Sequence, residues 1–352
     1  MNFRLFLLPV SFVYASIADI RNYLFDKNIF TQKLFKKPVI LVGNLSVGGT
    51  GKTPHVEYLV RLLHKEFRVA TLSRGYGRNT TGFVLGGKGS NSSTIGDEPM
   101  QYLSKFDDVT VSVCEDRTEG AEKLFAMQPP PDVIIMDDGF QHRKINPGFK
   151  ILLTPFDQMF TQDFVLPAGN LRERRSGYLR ADCIIVTKCE ENLGVEAKRK
   201  LISDLKPSST QEVFFSSITY ADLISLFSAE SISLNELSHY DVVLFTGIEN
   251  PKPLYDFLKK KSKSTTEIKF PDHHVFTEKD ILKVKGIFDK FANGKTIILT
   301  TEKDYQRLKG TAVLSSLSGL PCFYIPVVIK IDRENEFNTI IKKYVAENKG
   351  NS

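Results

Sequence analysis

The sequence predicts an α/β protein: a mostly parallel sheet covered by helices, followed by a second, smaller α/β unit. Three observations predict it. Short apolar runs of strand length alternate with helical segments from residue 39 onward. A Ser-rich stretch without a strong period, residues 206–240, interrupts the alternation before it restarts. A glycine-rich turn joins the first apolar run to the first amphipathic helix. The 352 residues accommodate about two domains. With 41% hydrophobic and 25% charged residues, the composition excludes a wholly disordered chain. Cys114, Cys183, Cys189 and Cys322 form no C-x-x-C pair, so neither a zinc ribbon nor a disulfide framework is indicated, and the thiols fit a reducing compartment.

Residues 1–37 form the first segment. Arg4, Arg21, Lys27, Lys33, Lys36 and Lys37 against Asp19 and Asp26 account for most of the net charge of +6. The run Leu5–Ala18 is uncharged but shorter than the roughly 20 residues of a membrane span. It reads as a membrane-associating interfacial helix with a basic flank. A helix folded onto the domain, or a signal peptide with Ser16-Ile17-Ala18 as its cleavage site, are the alternatives.

A first unit is expected over 38–225. Its strands are Val39–Val42, Val69–Leu72, Val109–Val113, Val133–Met136, Lys150–Leu153 and Cys183–Val186, with a short one at Phe83–Leu85 inside a polar loop region, 77–97. Val56, Leu59, Val60 and Leu63 give the helix Thr53–Lys65 an apolar stripe. A second unit is expected over 236–350. Its strands are Val242–Phe245, Glu267–Phe270, Thr296–Leu299 and Phe323–Val328, and its helices are Pro253–Lys260, Thr277–Phe291 and Glu336–Val345.

The sharpest motif is Ser46-Val47-Gly48-Gly49-Thr50-Gly51-Lys52-Thr53, between a strand and a helix. Glycines let backbone N–H groups wrap phosphates, and a helix N-terminus adds positive potential. Lys52 is expected to reach the β- and γ-phosphates of ATP, and the Thr53 hydroxyl to hold Mg²⁺. Ser46 stands where such loops usually begin with glycine. Val133–Asp138 is an apolar run ending in two acids, the form of a metal-holding carboxylate at a core strand end. These features specify a phosphate-loop NTPase-type fold.

The chain also resembles the tetraacyldisaccharide 4′-kinase family of lipid A biosynthesis. The resemblance rests on Gly43–Pro54, Ser73-Arg74-Gly75-Tyr76-Gly77, Gly96-Asp97-Glu98-Pro99, Asp137-Asp138-Gly139-Phe140-Gln141-His142 and Gly169-Asn170-Leu171-Arg172-Glu173. It continues through Phe245-Thr246-Gly247-Ile248, Phe270-Pro271-Asp272-His273-His274 and Thr300-Thr301-Glu302-Lys303-Asp304. Ser46 agrees with this family's own form of the loop. The resemblance implies ATP- and Mg²⁺-dependent phosphorylation of the 4′-hydroxyl of an acylated glucosamine disaccharide 1-phosphate, giving lipid IV-A. It further implies a kinase domain joined by a hinge to a smaller α/β domain, at the cytoplasmic face of the inner membrane.

By motif, Asp97 corresponds to the family's catalytic base and His273 to its dyad partner, with His274 the neighbouring alternative. Residues 97 and 273 fall in different predicted units, so the pairing implies that the second unit closes onto the first and excludes water. Lys52, Asp137 and Asp138 complete the catalytic set. Thr53, Asp138 and Glu173 are the expected metal ligands, Asp137 being second choice and Glu173 alternatively an ion-pair partner of nearby arginines. Arg74, Arg78, Arg117, Arg143, Arg172, Arg174 and Arg175 are candidates for phosphates of ATP or lipid. His142 reads equally as a site group or a satisfied core histidine. Two rivals remain: a phosphate-loop GTPase or metal-insertion protein, with Thr187-Lys188-Cys189-Glu190 an imperfect base reader, and an ATP-driven membrane switch. The modest net charge and the absence of Trp speak against nucleic acid. No obligate protein partner is predicted.

Overall fold

The computed structural model describes residues 3–291 and 295–349. Strands β1 to β8 are Val39–Asn44, Val69–Ser73, Val84–Leu85, Thr110–Val113, Val133–Asp137, Phe149–Pro155, Cys183–Cys189 and Glu212–Tyr220. Strands β9 to β15 are Leu223–Ser225, Ser231–Ile232, Asp241–Thr246, Ser264–Lys269, Thr296–Thr301, Cys322–Ile325 and Val327–Ile331. Helices α1 to α6 are Leu8–Asp26, Lys52–Leu63, Ser92–Ile95, Asp97–Lys105, Arg117–Phe125 and Val195–Leu205. Helices α7 to α11 are Lys252–Lys261, Glu278–Phe288, Glu302–Leu308, Ala312–Ser315 and Glu334–Asn348.

The chain divides into two compact units. The first comprises Met1–Ser90, Tyr102–Ile218 and Ile329–Ser352; the second comprises Asn91–Gln101 and Thr219–Val328. The first is built on a nine-stranded sheet of order β15-β8-β7-β6-β1-β5-β2-β4-β3. Neighbours from β8 to β4 run parallel, and β3 is antiparallel to β4. Strands β1 and β5 are buried throughout, as expected of central parallel strands covered on both faces. On α2, the predicted stripe Val56, Leu59, Val60 and Leu63 is wholly buried. The second unit has a six-stranded sheet of order β10-β9-β14-β13-β11-β12, parallel from β12 to β14, with its own core around Val243, Phe245 and Ile298.

Three features depart from the predicted organisation. Asn91–Gln101 belongs to the second unit, although it lies within the span 38–225 assigned to the first. The run Phe323–Val328 is two strands in two sheets, β14 and β15, separated at Pro326; proline cannot donate to a ladder and ends one there. The last helix, α11, does not close the second unit. Its buried face, Phe337, Ile341 and Val345, belongs to the first, where Phe337 packs edge-on against Phe214. There the Tyr344 hydroxyl donates to Val39 O at 3.2 Å.

The N-terminal helix also differs. It continues past the uncharged run to Asp26, and Arg4–Asp26 is long and apolar enough to cross a membrane by length and composition. The face toward the protein is mostly small and polar, with Phe25 buried near the helix end. Ser11, Ala15, Asp19, Asn22 and Asp26 recur every three or four residues, one helix stripe. Ser11 Oγ accepts from Ala168 N–H at 2.9 Å, Asp19 pairs with Arg174, and Asp26 accepts from Arg143 at 2.7 Å. Phe6, Val10, Phe12, Val13, Ile17 and Ile20 are exposed.

Candidate functional site

In the first unit the site begins where β1 ends. Ser46 makes an antiparallel bridge to Leu171, and its carbonyl accepts from Asn44 Nδ2 at 2.6 Å. Its φ is not positive, so glycine is not required there. Val47 N–H donates to Asn170 O at 2.8 Å. The turn then passes through Gly48 and Gly51, whose φ values of 97° and 92° favour glycine, with Gly49 exposed between them. The carbonyl of Thr50 accepts from Thr187 Oγ1 at 2.8 Å. Thr187, in the imperfect base-reader motif, thus supports the loop. Gly51 caps α2, which starts with Lys52 and Thr53.

Beneath the loop, His55 is 3% exposed. Its Nδ1 lies 2.7 Å from Gly51 O and its Nε2 3.0 Å from Ser216 Oγ. A carbonyl only accepts, so Nδ1 carries the proton and Nε2 accepts from the hydroxyl. Burial, opposed by the bond to Gly51, lowers its pKa to about 4, so the ring is neutral.

The Lys52 ammonium donates to Asn44 Oδ1 at 3.1 Å and stands 3.6 Å from Asp138. Arg172 Nη1 donates to both oxygens of Asp138, at 2.9 and 3.2 Å. Arg117, 4% exposed, donates to the Asp138 carbonyl at 2.8 Å. Burial raises the Asp138 pKa, but Lys52, Arg172 and Arg117 outweigh it, and the net shift is downward. Asp138 therefore stays ionised among three cations. Its φ of 53° is unusual for a non-glycine residue. Asp137 is buried and accepts from the Tyr102 hydroxyl at 2.9 Å.

Glu173 has another occupation than the expected metal contact. It is 1% exposed, and Arg180 Nη2 donates to both of its oxygens, at 2.9 and 2.8 Å. Gln141 and Asn22 also donate to it, each at 3.1 Å. A carboxylate so engaged is a structural anchor in this arrangement, the ion-pair alternative, though its partner is Arg180 and not Arg172, Arg174 or Arg175. Gln141 also donates to Asn44 O at 3.0 Å, linking this anchor to the loop. Among the other candidate arginines, Arg78 pairs with Glu115 at 2.5 Å, Arg143 with Asp26 and Arg174 with Asp19, Arg175 donates to Asp163 O, and Arg74 is exposed. His142 is half-buried, 3.5 Å from Asp116, with its pKa lowered by burial and then by Arg117.

In the second unit, Asp97 and His273 come together. Asp97 opens α4 directly after Gly96. His273 has a φ of 57° and donates its N–H to Gly247 O at 3.0 Å. Its Nδ1 lies 3.5 Å from Asp97 Oδ2. Because Asn91–Gln101 and His273 share a unit, the pair meets without any closure of one unit on the other, contrary to the expectation. His274 instead engages Asp280 at 3.0 Å. Arg307 Nε donates to Asp97 Oδ2 at 2.9 Å. Asp304, fully buried, accepts from Gly247 N–H at 3.0 Å and Thr301 Oγ1 at 2.7 Å.

A family model described as tetraacyldisaccharide-1-P 4′-kinase matches residues 3–346. The chain belongs to the tetraacyldisaccharide-1-P 4′-kinase family. The tetraacyldisaccharide 4′-kinase of Flavobacterium johnsoniae is 45% identical over 346 residues, 98% of each chain. That of Parabacteroides distasonis is 43% identical, over 98% of this chain and 95% of its own. The crystal structure of the apo form of LpxK from Aquifex aeolicus in complex with ATP superposes with a TM-score of 0.75 at 31% identity, covering 97% of this chain and 99% of that one.

Within this kinase, four site residues carry no recognisable signal of their own in the sequence. Asn44 and Gln141 lie inside quoted motifs but are ordinary amides until the fold sets them against Lys52 and Glu173. Arg180 and Arg307 lie outside every motif. Arg307 stands three residues after Asp304 on α9, a helix the sequence reading does not predict, and that spacing puts both on one face.

Proposed function

We propose that this kinase transfers the γ-phosphoryl group of ATP to the 4′-hydroxyl of a tetraacylated glucosamine disaccharide 1-phosphate, giving lipid IV-A. It acts at the cytoplasmic face of the inner membrane. The observation that carries the nucleotide half is Lys52 at the end of the glycine turn, between Asn44 Oδ1 at 3.1 Å and Asp138 at 3.6 Å. The names of the relatives supply the acceptor.

In this reading the backbone of Ser46–Gly51 cradles the phosphates, and Lys52 leaves its resting partners for the β- and γ-oxygens. The Thr53 hydroxyl, in the first turn of α2, and the Asp138 carboxylate, just after β5, are oxygen donors of the kind Mg²⁺ takes and would hold it. When bound, Mg²⁺ neutralises charge on the β- and γ-phosphates. Asp137, held by Tyr102, orients the neighbouring ligand sphere. Asp97 takes the proton of the acceptor hydroxyl, with His273 beside it. The exposed apolar face of α1, with the basic segment after it, rests in the lipid surface where an acylated substrate resides.

The test is transfer of label from γ-labelled ATP to tetraacyldisaccharide 1-phosphate in detergent with Mg²⁺. Labelled lipid from the wild type and a loss of about 10²-fold or more in Asp97→Ala are expected. ATP consumption without labelled lipid, on substrate accepted by another kinase of the family, would overturn the acceptor. Equal labelling by both proteins would overturn the base.

A further inference from the structure

The direct partner of Asp97 is a guanidinium, not an imidazole. Arg307 Nε donates to Asp97 Oδ2 at 2.9 Å, while Nη2 lies 3.0 Å from His273 Nδ1. Nη1 donates to Gly247 O at 2.8 Å and to Asp304 Oδ1 at 3.0 Å. Asp97 Oδ2 and His273 Nδ1 are 3.5 Å apart, beyond a normal hydrogen bond. A guanidinium only donates, so Nδ1 must present its lone pair, and the proton of the neutral ring then sits on Nε2.

We propose that Arg307 is the positioning residue of the Asp97–His273 pair: it fixes the carboxylate, sets the ring and selects the Nε2–H tautomer. The proposal rests on the reading of Asp97 as the base. The clamp is itself anchored. Thr301 caps α9 by accepting from Asp304 N–H, and the Asp304 carboxylate is fully buried. Gly247 accepts both Arg307 and the His273 N–H, so one carbonyl ties the clamp to the backbone of the residue it orients. A planar fork serves these acceptors together, whereas a lysine ammonium presents a single point charge. Arg307 has 9% of its side chain exposed, as a fixed support requires.

The test uses full-length protein in detergent with ¹⁵N-labelled histidine, in the wild type, Arg307→Ala and Arg307→Lys. His273 is assigned by His273→Gln. Long-range ¹H–¹⁵N spectra are expected to show the Nε2–H tautomer in the wild type and a mixture in both variants. With MgATP and tetraacyldisaccharide 1-phosphate, kcat should fall about 10²-fold in Arg307→Ala and about 10-fold in Arg307→Lys, with the ATP KM within about 2-fold. Added methylguanidinium should restore part of the Arg307→Ala rate. Should Arg307→Ala not fold, Arg307→Lys alone decides. An unchanged His273 spectrum, or wild-type kcat in the variants, overturns the proposal. Full activity of Asp97→Ala with an altered His273 spectrum in Arg307→Ala would instead overturn the base reading and leave the positioning geometry standing.

Discussion

Glu173 and His55 show how much of the first unit's site is held by groups that need not touch a ligand. The Glu173 carboxylate is buried against Arg180, and removing it strands a guanidinium that is itself largely shielded. Breaking such a pair costs about 3–5 kcal/mol. Glu173→Ala is therefore expected to lower the melting temperature strongly even without nucleotide. An unchanged melt would return Glu173 to a purely ligand-directed role. His55 makes a pH prediction. Its folded pKa of about 4 lies below the ordinary 6.5, so the unfolded chain binds the extra proton between those values. The stabilisation is fully present above about pH 6.5 and is lost as pH falls toward 4, by about 3 kcal/mol in all. Melting curves across that window should show a slope that flattens in His55→Asn. Asp138 and His273 are the residues nearest the proposed chemistry that also carry left-handed backbone conformations, at φ of 53° and 57°. Such strain persists only where surrounding contacts impose it.

At the scale of the element, α1 inverts the usual arrangement of a surface helix. A helix docked for stability buries its apolar stripe, yet α1 turns Ser11, Ala15, Asp19 and Asn22 toward the protein and leaves Phe12, Ile17 and Ile20 outside. The uncharged run in the sequence showed that the segment is apolar. Which face is inward depends on Arg174, Ala168 and Glu173, more than 140 residues away. Ile17→Asp with Ile20→Asp is expected to weaken co-sedimentation with anionic vesicles about 10-fold or more, since each isoleucine is worth roughly 1.5–3 kcal/mol of apolar burial. ATP binding should not change. Vesicle binding equal to the wild type would dismiss this face as the membrane contact.

At the scale of the whole molecule, the chain passes between the two units four times. Two passes bracket Asn91–Gln101 and two bracket Thr219–Val328, so neither unit is a continuous segment. The C-terminal helix illustrates the consequence. Phe337, fully buried against Phe214 and Tyr58, belongs to the first unit although it follows the second. Phe337→Ala should cost about 3–5 kcal/mol. It should raise amide exchange in β8 and α2 while the strands of the second unit keep their protection. Faster exchange only in β11 and β13 would contradict this assignment.

The sequence by itself determined the phosphate loop, the alternation that makes both sheets mostly parallel, and the apolar stripe of α2. Each is written in contiguous residues: a loop is a run of glycines between a strand and a helix, and a stripe is a period. Only the tertiary structure decided that Asp97 and His273 meet in one unit, that Arg307 stands between them, that Glu173 answers Arg180, and that Pro326 divides two sheets. Asp97 and Arg307 are 210 residues apart. No local pattern encodes which distant charge a buried carboxylate will find, because that pairing is set by how strands from separated segments take their places side by side.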